Sequence, residues 1–233
     1  LDITNEDIYT IEEKCGINLA KRQREALEKS AACGVLVITG GPGTGKTTTI
    51  KSLIEFYKKN NLKVALAAPT GRAAKRMTET TGVEAKTIHR MLEYKAYSEG
   101  GMMFGKDKND PLKADVVIID EISMVDIILM HHLLSAIRPG ARLILVGDKD
   151  QLPSVGPGSV LRGIINSGKI PVVVLDEIFR QARESMIIVN AHRINKGYLP
   201  YLNVKNKDFF LEQVFLPEEI LQTILNLTKT RLP

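Results

Sequence analysis

The chain has 233 residues, 44% of them hydrophobic and 25% charged, which suits one soluble α/β domain with small additions and a sizeable core. The formal net charge is +5 and the sequence pI about 9.1, a mild basic excess that fits a polyanionic partner without specifying one. Two cysteines, Cys15 and Cys33, make no CxxC pair and no metal-ligand cluster with histidine, which excludes a disulfide-stapled or zinc-built fold and suits reduced thiols in the cytoplasm.

The first residues, Leu1 to Glu13, are acidic and polar, unlike a signal peptide. Asn5 to Lys14 carries Ile8 and Ile11 at helical spacing, and Gly16 follows as a C-terminal cap. A second helix is expected from Lys21 to Ser30. Short apolar runs then alternate with helical patterns. The runs are 35–39 (VLVIT), 63–67 (KVALA), 116–119 (VVII), 142–146 (RLILV) and 172–175 (VVVL). They are far too short to cross a bilayer, so no membrane partner is expected. Nearly continuous apolar runs are what parallel strands buried on both faces require. Helical patterns lie near 46–59, 71–81, 126–137 and 159–167. This alternation predicts an α/β fold, a wound parallel sheet with helices on both faces, whose ligands bind at the carboxyl ends of the strands. Residues 93–113 break the pattern with Tyr94, Tyr97, Met102, Met103 and Phe104 around Gly100-Gly101, and predict a small β-hairpin insertion. After Tyr198 a weak strand (209–214) and a helix (217–228) are expected. The chain starts at Leu1 and ends at Arg231-Leu232-Pro233 with no stop signal, so it reads as a piece of a longer protein.

Gly40-Gly41-Pro42-Gly43-Thr44-Gly45-Lys46-Thr47 matches the P-loop pattern G-x-x-x-x-G-K-[ST], directly after the run 35–39 and before a helix. Glycines let several N–H groups turn inward onto phosphates, and the helix N-terminus adds a favourable dipole. Lys46 is expected to reach the β- and γ-phosphates and Thr47 to offer its hydroxyl to Mg²⁺; Thr48 completes the nucleotide-binding set. A dinucleotide fold is excluded, because Lys46 stands where a third glycine is needed. A guanine-reading N-K-x-D is absent, since Asn206-Lys207-Asp208 has the wrong spacing, and the expected nucleotide is ATP.

The run 116–119 ends in Asp120-Glu121. A carboxylate at a strand tip can hold Mg²⁺ through water together with Thr47, and the neighbouring Glu121 can orient or deprotonate an attacking water. On these residues alone a small-molecule kinase and a nucleotide-holding module without turnover both stay open.

Further segments narrow the choice. Gln23 precedes the loop. Ala68-Pro69-Thr70-Gly71-Arg72-Ala73-Ala74 follows 63–67, and Thr87-Ile88-His89-Arg90 comes next. Asp120 opens DEISMVD, Gly147 opens GDKDQLPSVGPG, and Phe179-Arg180-Gln181 follows 172–175. In this order they resemble the successive motifs of superfamily 1 DNA helicases, in the RecD-like branch of the exodeoxyribonuclease V alpha subunit, over about residues 20–197. The resemblance implies a RecA-like ATPase lobe at 35–197, N-terminal helices at 1–34 leading into it, and at 198–233 the start of a connection to a second lobe. It implies that Gln23 reads adenine, that Gln151 senses the γ-phosphate and relays it to the DNA side, and that Arg180 stabilises charge on the transferring phosphoryl group. Pro69, Thr70, Gly71 and Arg72 would face single-stranded DNA, with a solvated helix-start charge as the other reading of Arg72. His89 is either a DNA contact or a local packing residue. The hairpin at 93–113 would help split a duplex, its aromatics stacking bases or packing the hairpin. Asn190 to Asn195 also resembles a family segment, without assignable roles. The implied parent translocates 5′→3′ on single-stranded DNA, alone or with nuclease-complex subunits, and this lobe by itself binds ATP and Mg²⁺ without unwinding.

Overall fold

A computed structural model describes residues 1–96, 102–179, 182, 184–205 and 207–230. The described residues form two compact units, Leu1–Phe179 and Arg180–Pro233.

The first unit opens with α1 (Asn5–Cys15), capped by Thr4 and closed by Gly16 in the left-handed conformation, and α2 (Lys21–Ala32). There follow β1 (Val35–Gly40), α3 (Lys46–Lys59), β2 (Val64–Ala68), α4 (Gly71–Thr81), β3 (Ala85–Thr87) and the single turn α5 (Ile88–Met91). Next come β4 (Tyr94–Ala96), β5 (Met102–Phe104), β6 (Val116–Ile119), a 3₁₀ turn at Ile122–Met124, α6 (Ile127–Ala136), β7 (Arg142–Gly147), α7 (Val160–Ser167) and β8 (Val172–Leu175). One six-stranded sheet has the order β3-β2-β6-β7-β1-β8, and each of its pairs is parallel.

Period-two alternation sorts the strand side chains into two cores. Leu36, Ile38, Ile118, Ile144 and Val146 point to the layer holding α1, α2 and α3, where Phe56 and Tyr57 are fully buried. Val37, Val117, Ile119, Leu143 and Leu145 point to the opposite layer, with Ile88, Met130, Leu133 and Leu161. Each fully buried side chain of this size contributes about 1.5–3 kcal/mol, so both layers hold the sheet. The N-terminal helices share a core with the sheet: Ile8, Ile11, Ala26 and Leu27 all pack into the first layer.

The five expected strands and the helices between them are present, and β4 pairs antiparallel with β5 as the expected hairpin (Tyr94↔Phe104). Tyr97, Gly100 and Gly101 lie outside the described residues. Three elements of the first unit were not expected: the 3₁₀ turn at Ile122–Met124, β3 and α5. β3 is a three-residue edge strand without an apolar run, and α5 is a single turn capped by Thr87. In the second unit, α8 (Met186–Asn195) and α9 (Pro217–Thr230) form. The weak strand expected at 209–214 does not form. The Asn203 amide instead takes the Leu211 N–H at 2.8 Å and donates to its carbonyl at 3.2 Å, satisfying groups that a strand neighbour would otherwise pair. Among the described residues, no helix is long and apolar enough to cross a membrane.

Candidate nucleotide site

Because the strands are parallel, β1, β2, β6 and β7 deliver their following loops to one edge of the sheet. Residues 41–45 turn the chain from β1 into α3 at that edge. A Cβ on Gly40 would stand 2.5 Å from Thr44 Oγ1 and 2.8 Å from the Leu175 carbonyl oxygen, so only glycine lets the loop lie this close to β8. Gly45 has φ +81°, and a Cβ there would stand 2.6 Å from both Gln23 Nε2 and the Phe179 ring.

Lys46 begins α3, and its ammonium donates to the carbonyls of Gly40 at 2.6 Å and Gly41 at 3.0 Å. It is curled over the loop it follows. Thr44 is buried and donates to the Gly41 carbonyl at 2.8 Å, which fixes the shape of the turn. Thr47 and Thr48 are half-buried on the first turn of α3. Gln23 is buried, with both ends of its amide engaged: Oε1 accepts from the Ala20 N–H at 2.9 Å and Nε2 donates to the Gly45 carbonyl at 3.3 Å. The Phe179 N–H donates to the Gly43 carbonyl at 3.3 Å, closing the loop from the β8 side.

Asp120 leaves β6 at the same edge, its N–H still bonded to the Ala67 carbonyl of β2 at 2.9 Å. Burial raises its pKa from 3.8 to about 6. The Glu121 N–H, donating to Asp120 Oδ1 at 2.8 Å, pulls the other way; the Glu121 charge raises the pKa again, and the Lys46 and Arg76 charges lower it. Lys46 is thus close enough to Asp120 to act on it electrostatically.

Glu121 is strained. Its φ of +53° is left-handed for a residue with a full side chain, which costs about 1–2 kcal/mol. Its Oε2 is buried with no hydrogen-bond partner. Strain and an orphaned carboxylate oxygen on one residue are what a site kept for chemistry shows. After it, Ser123 donates to Gln151 Oε1 at 3.0 Å, tying the 3₁₀ turn behind β6 to the loop behind β7. Asp148 is buried in that loop, and the Lys149 N–H donates to Thr39 Oγ1 of β1 at 3.0 Å.

Pro69, Thr70, Gly71 and Arg72 sit where β2 passes into α4. Thr70 caps the helix, its Oγ1 accepting from the Ala73 N–H at 3.2 Å, which leaves the hydroxyl hydrogen to donate elsewhere. A Cβ on Gly71 would meet open space, and Arg72 is exposed. His89 packs against the hairpin, its ring 5.6 Å from Tyr94 and 6.0 Å from Phe104, and Phe104 lies 4.5 Å from His132. The described aromatics of the hairpin therefore pack its base. Arg180 and Gln181 lie outside the described residues. Within the second unit Asn190 is buried and exchanges hydrogen bonds with the Tyr201 backbone at 2.7 and 2.8 Å, and Arg193 lies 3.8 Å over the Tyr201 ring.

Sequence reasoning did not single out Thr39, Arg76, Ser123 or the placement of Phe179. Ser123 and Phe179 lie in segments already noted, but their contacts with Gln151 and Gly45, like those of Thr39 and Arg76, depend on how the fold brings distant parts of the chain together.

Residues 23–157 match the AAA domain family. The chain is 39% identical over 199 residues to the ATP-dependent RecD2 DNA helicase of Deinococcus radiodurans, covering 85% of this chain and 27% of that protein. It is 42% identical over 167 residues to the RecBCD enzyme subunit RecD of Mycobacterium tuberculosis, covering 62% of this chain and 28% of that one. The crystal structure of the Pif1 helicase from Candida albicans aligns with 28% identity and a TM-score of 0.54, over 79% of this chain and 45% of that chain. The chain thus spans under a third of the length of either RecD-type relative. The motif order, the parallel sheet and these likenesses agree, and the chain belongs to the AAA domain family as a RecD-like motor domain of the superfamily 1 helicases.

Proposed function

We propose that this chain is the first ATPase lobe of an ATP-dependent DNA helicase that works in the cytoplasm on single-stranded DNA. One observation carries the reading: the glycine loop with Lys46 and the strand-tip Asp120 leave β1 and β6 at the same edge of one parallel sheet, where strained Glu121 holds a partnerless oxygen. In this reading the backbone N–H groups of Gly41 and of residues 43–48 cradle the triphosphate, and Lys46 exchanges its two loop carbonyls for phosphate oxygens. The Gln23 amide reads the adenine edge with its second N–H and the second lone pair of Oε1, the first of each being held within the lobe by Gly45 and Ala20.

A hydroxyl from Thr47 and a carboxylate from Asp120 form the hard oxygen set that Mg²⁺ takes, and the loop is closed tightly at Gly40 and Gly45, where no Cβ fits. When bound, Mg²⁺ offsets charge on the β- and γ-phosphate oxygens. Glu121 accepts a proton from the attacking water at its free oxygen and orients it. Gln151 reports the phosphate end to the rest of the lobe through Ser123. Arg180, Pro69 to Arg72 and His89 keep the roles the family resemblance implies, on the phosphoryl group and on DNA. Translocation 5′→3′, a second lobe and assembly with nuclease subunits belong to the same proposal. It is supported by the RecD2 helicase name of one relative and the RecBCD subunit name of another.

The test is ATP turnover by the full-length protein with and without single-stranded DNA. Stimulation by DNA, weakening with salt, is expected. Phosphoryl transfer from ATP to a small acceptor with no response to DNA would replace this reading with a P-loop kinase.

A further inference from the structure

Gln23 can select a base only if its amide is held one way round, because a flipped amide exchanges donor for acceptor. Two backbone groups hold it. The Ala20 N–H donates to Oε1 at 2.9 Å, and Nε2 donates to the Gly45 carbonyl at 3.3 Å. A flipped amide would set N–H against N–H at Ala20 and oxygen against oxygen at Gly45. The orientation of Gln23 therefore depends on where the Ala20 N–H points.

That N–H belongs to the Leu19–Ala20 peptide, a rigid plane whose other polar group is the Leu19 carbonyl. Arg24 Nε donates to this carbonyl at 3.2 Å, and Arg24 Nη2 donates to Glu12 Oε1 at 2.8 Å. The same Glu12 oxygen accepts from the Leu19 N–H at 2.7 Å. One carboxylate oxygen on α1 thus fixes both the guanidinium and the chain just before the plane. Ala20, the N-cap of α2, contributes no capping side chain, so the orientation of the plane falls to these hydrogen bonds. α1 is itself anchored, with Ile8 and Ile11 buried in the same core layer as Leu19. We propose that Glu12 and Arg24 are positioning residues: acting through the Leu19–Ala20 peptide, they hold the Gln23 amide in the orientation that favours adenine over a purine with the opposite edge. The proposal rests on the reading of Gln23 as the residue that contacts adenine. A purely structural role, fastening α2 to α1, would change melting and leave base preference untouched.

Inosine triphosphate supplies the opposite edge. Its base carries a carbonyl where adenine carries an amino group, and a ring N–H where adenine has a bare nitrogen. The experiment measures equilibrium binding of ATP, inosine triphosphate and inorganic tripolyphosphate to the 233-residue chain, each with Mg²⁺. Selectivity is the ratio of the two nucleotide dissociation constants, and tripolyphosphate reports the phosphate loop without a base. Glu12→Ala and Arg24→Ala are each expected to lower the ratio about tenfold by weakening ATP, with tripolyphosphate affinity within about twofold of the parent. Glu12→Gln keeps an acceptor oxygen for Leu19 and Arg24 and is expected to keep the parental ratio. The Arg24 side chain is 47% exposed, so its variant decides the matter if Glu12→Ala does not fold. An unchanged ratio in the alanine variants would overturn the proposal. So would a loss shared equally by ATP, inosine triphosphate and tripolyphosphate, which marks damage to the loop alone. Gln23→Ala separates the proposal from the reading beneath it. A lowered ratio there, with parental ratios in the Glu12 and Arg24 variants, overturns the positioning role and leaves the adenine reading standing. A parental ratio in Gln23→Ala, or a parent that binds both nucleotides equally, removes both.

Discussion

Ser123 donates a 3.0 Å hydrogen bond to Gln151, joining the turn that follows Glu121 to the loop that follows β7. This contact spans 28 residues of sequence and crosses between two adjacent strands of the sheet. Ser123→Ala removes the donor. A neutral hydrogen bond of this kind is worth about 0.5–1.5 kcal/mol. We expect turnover in the full-length protein to fall about threefold to tenfold with nucleotide affinity unchanged, read from kcat and from equilibrium binding. A weakened affinity with unchanged kcat would place Ser123 in binding instead.

Glu121 combines a left-handed backbone with a buried, partnerless oxygen. Glu121→Gly relieves both, against a backbone entropy cost of about 0.5–1 kcal/mol. Thermal melting should show a variant more stable by about 1 kcal/mol that binds ATP and does not turn it over. A lower melting temperature would mean that the side chain holds the fold.

Asp120 has its folded pKa raised from 3.8 to about 6, chiefly by burial. The folded state therefore holds this proton more tightly than the unfolded chain. Stability from this group is greatest below pH 3.8 and declines as pH rises toward 6. Asp120→Asn removes the dependence. Without nucleotide or metal, the gain of the variant over the parent should be larger at pH 7.5 than at pH 5 by about 1 kcal/mol, measured by urea unfolding. An equal gain at both values would show that Asp120 is not desolvated in solution.

A methyl group on Gly45 has nowhere to go. Gly45→Ala would press on the Gln23 amide and the Phe179 ring at a φ of +81°. The expected result is a loss of about 1–3 kcal/mol of stability together with at least tenfold weaker ATP binding, seen by melting and titration. Melting and affinity both close to the parent would show that the ring and amide yield easily.

The sheet was legible because strands buried on both faces must be continuously apolar, and the runs at 35–39, 63–67, 116–119, 142–146 and 172–175 mark them against polar helix starts. β3 escaped notice because a three-residue edge strand with Lys86 exposed carries no such signature. At 209–214 the apolar residues suggested a strand, but a strand needs a partner, and Asn203 serves Leu211 in its place. In the site, the glycine loop and Asp120-Glu121 were readable from spacing, since phosphate approach and a strand-tip carboxylate demand those residue types. The left-handed turn at Glu121 was not, because neither glycine nor asparagine announces it. Nor was the meeting of Phe179 with Gly45, which depends on β8 lying beside β1.

The far end of α2 is bolted down. Tyr57 of α3 donates to the Ser30 carbonyl at 2.9 Å, and Arg142 of β7 donates to the carbonyls of Ser30 at 3.1 Å and Cys33 at 2.7 Å. The helix is thus held at both ends, by these contacts at its last turn and by the Gln23–Gly45 hydrogen bond at its first. Whatever discrimination between bases Gln23 exercises is therefore decided when the lobe folds, and the arriving nucleotide meets a template already set.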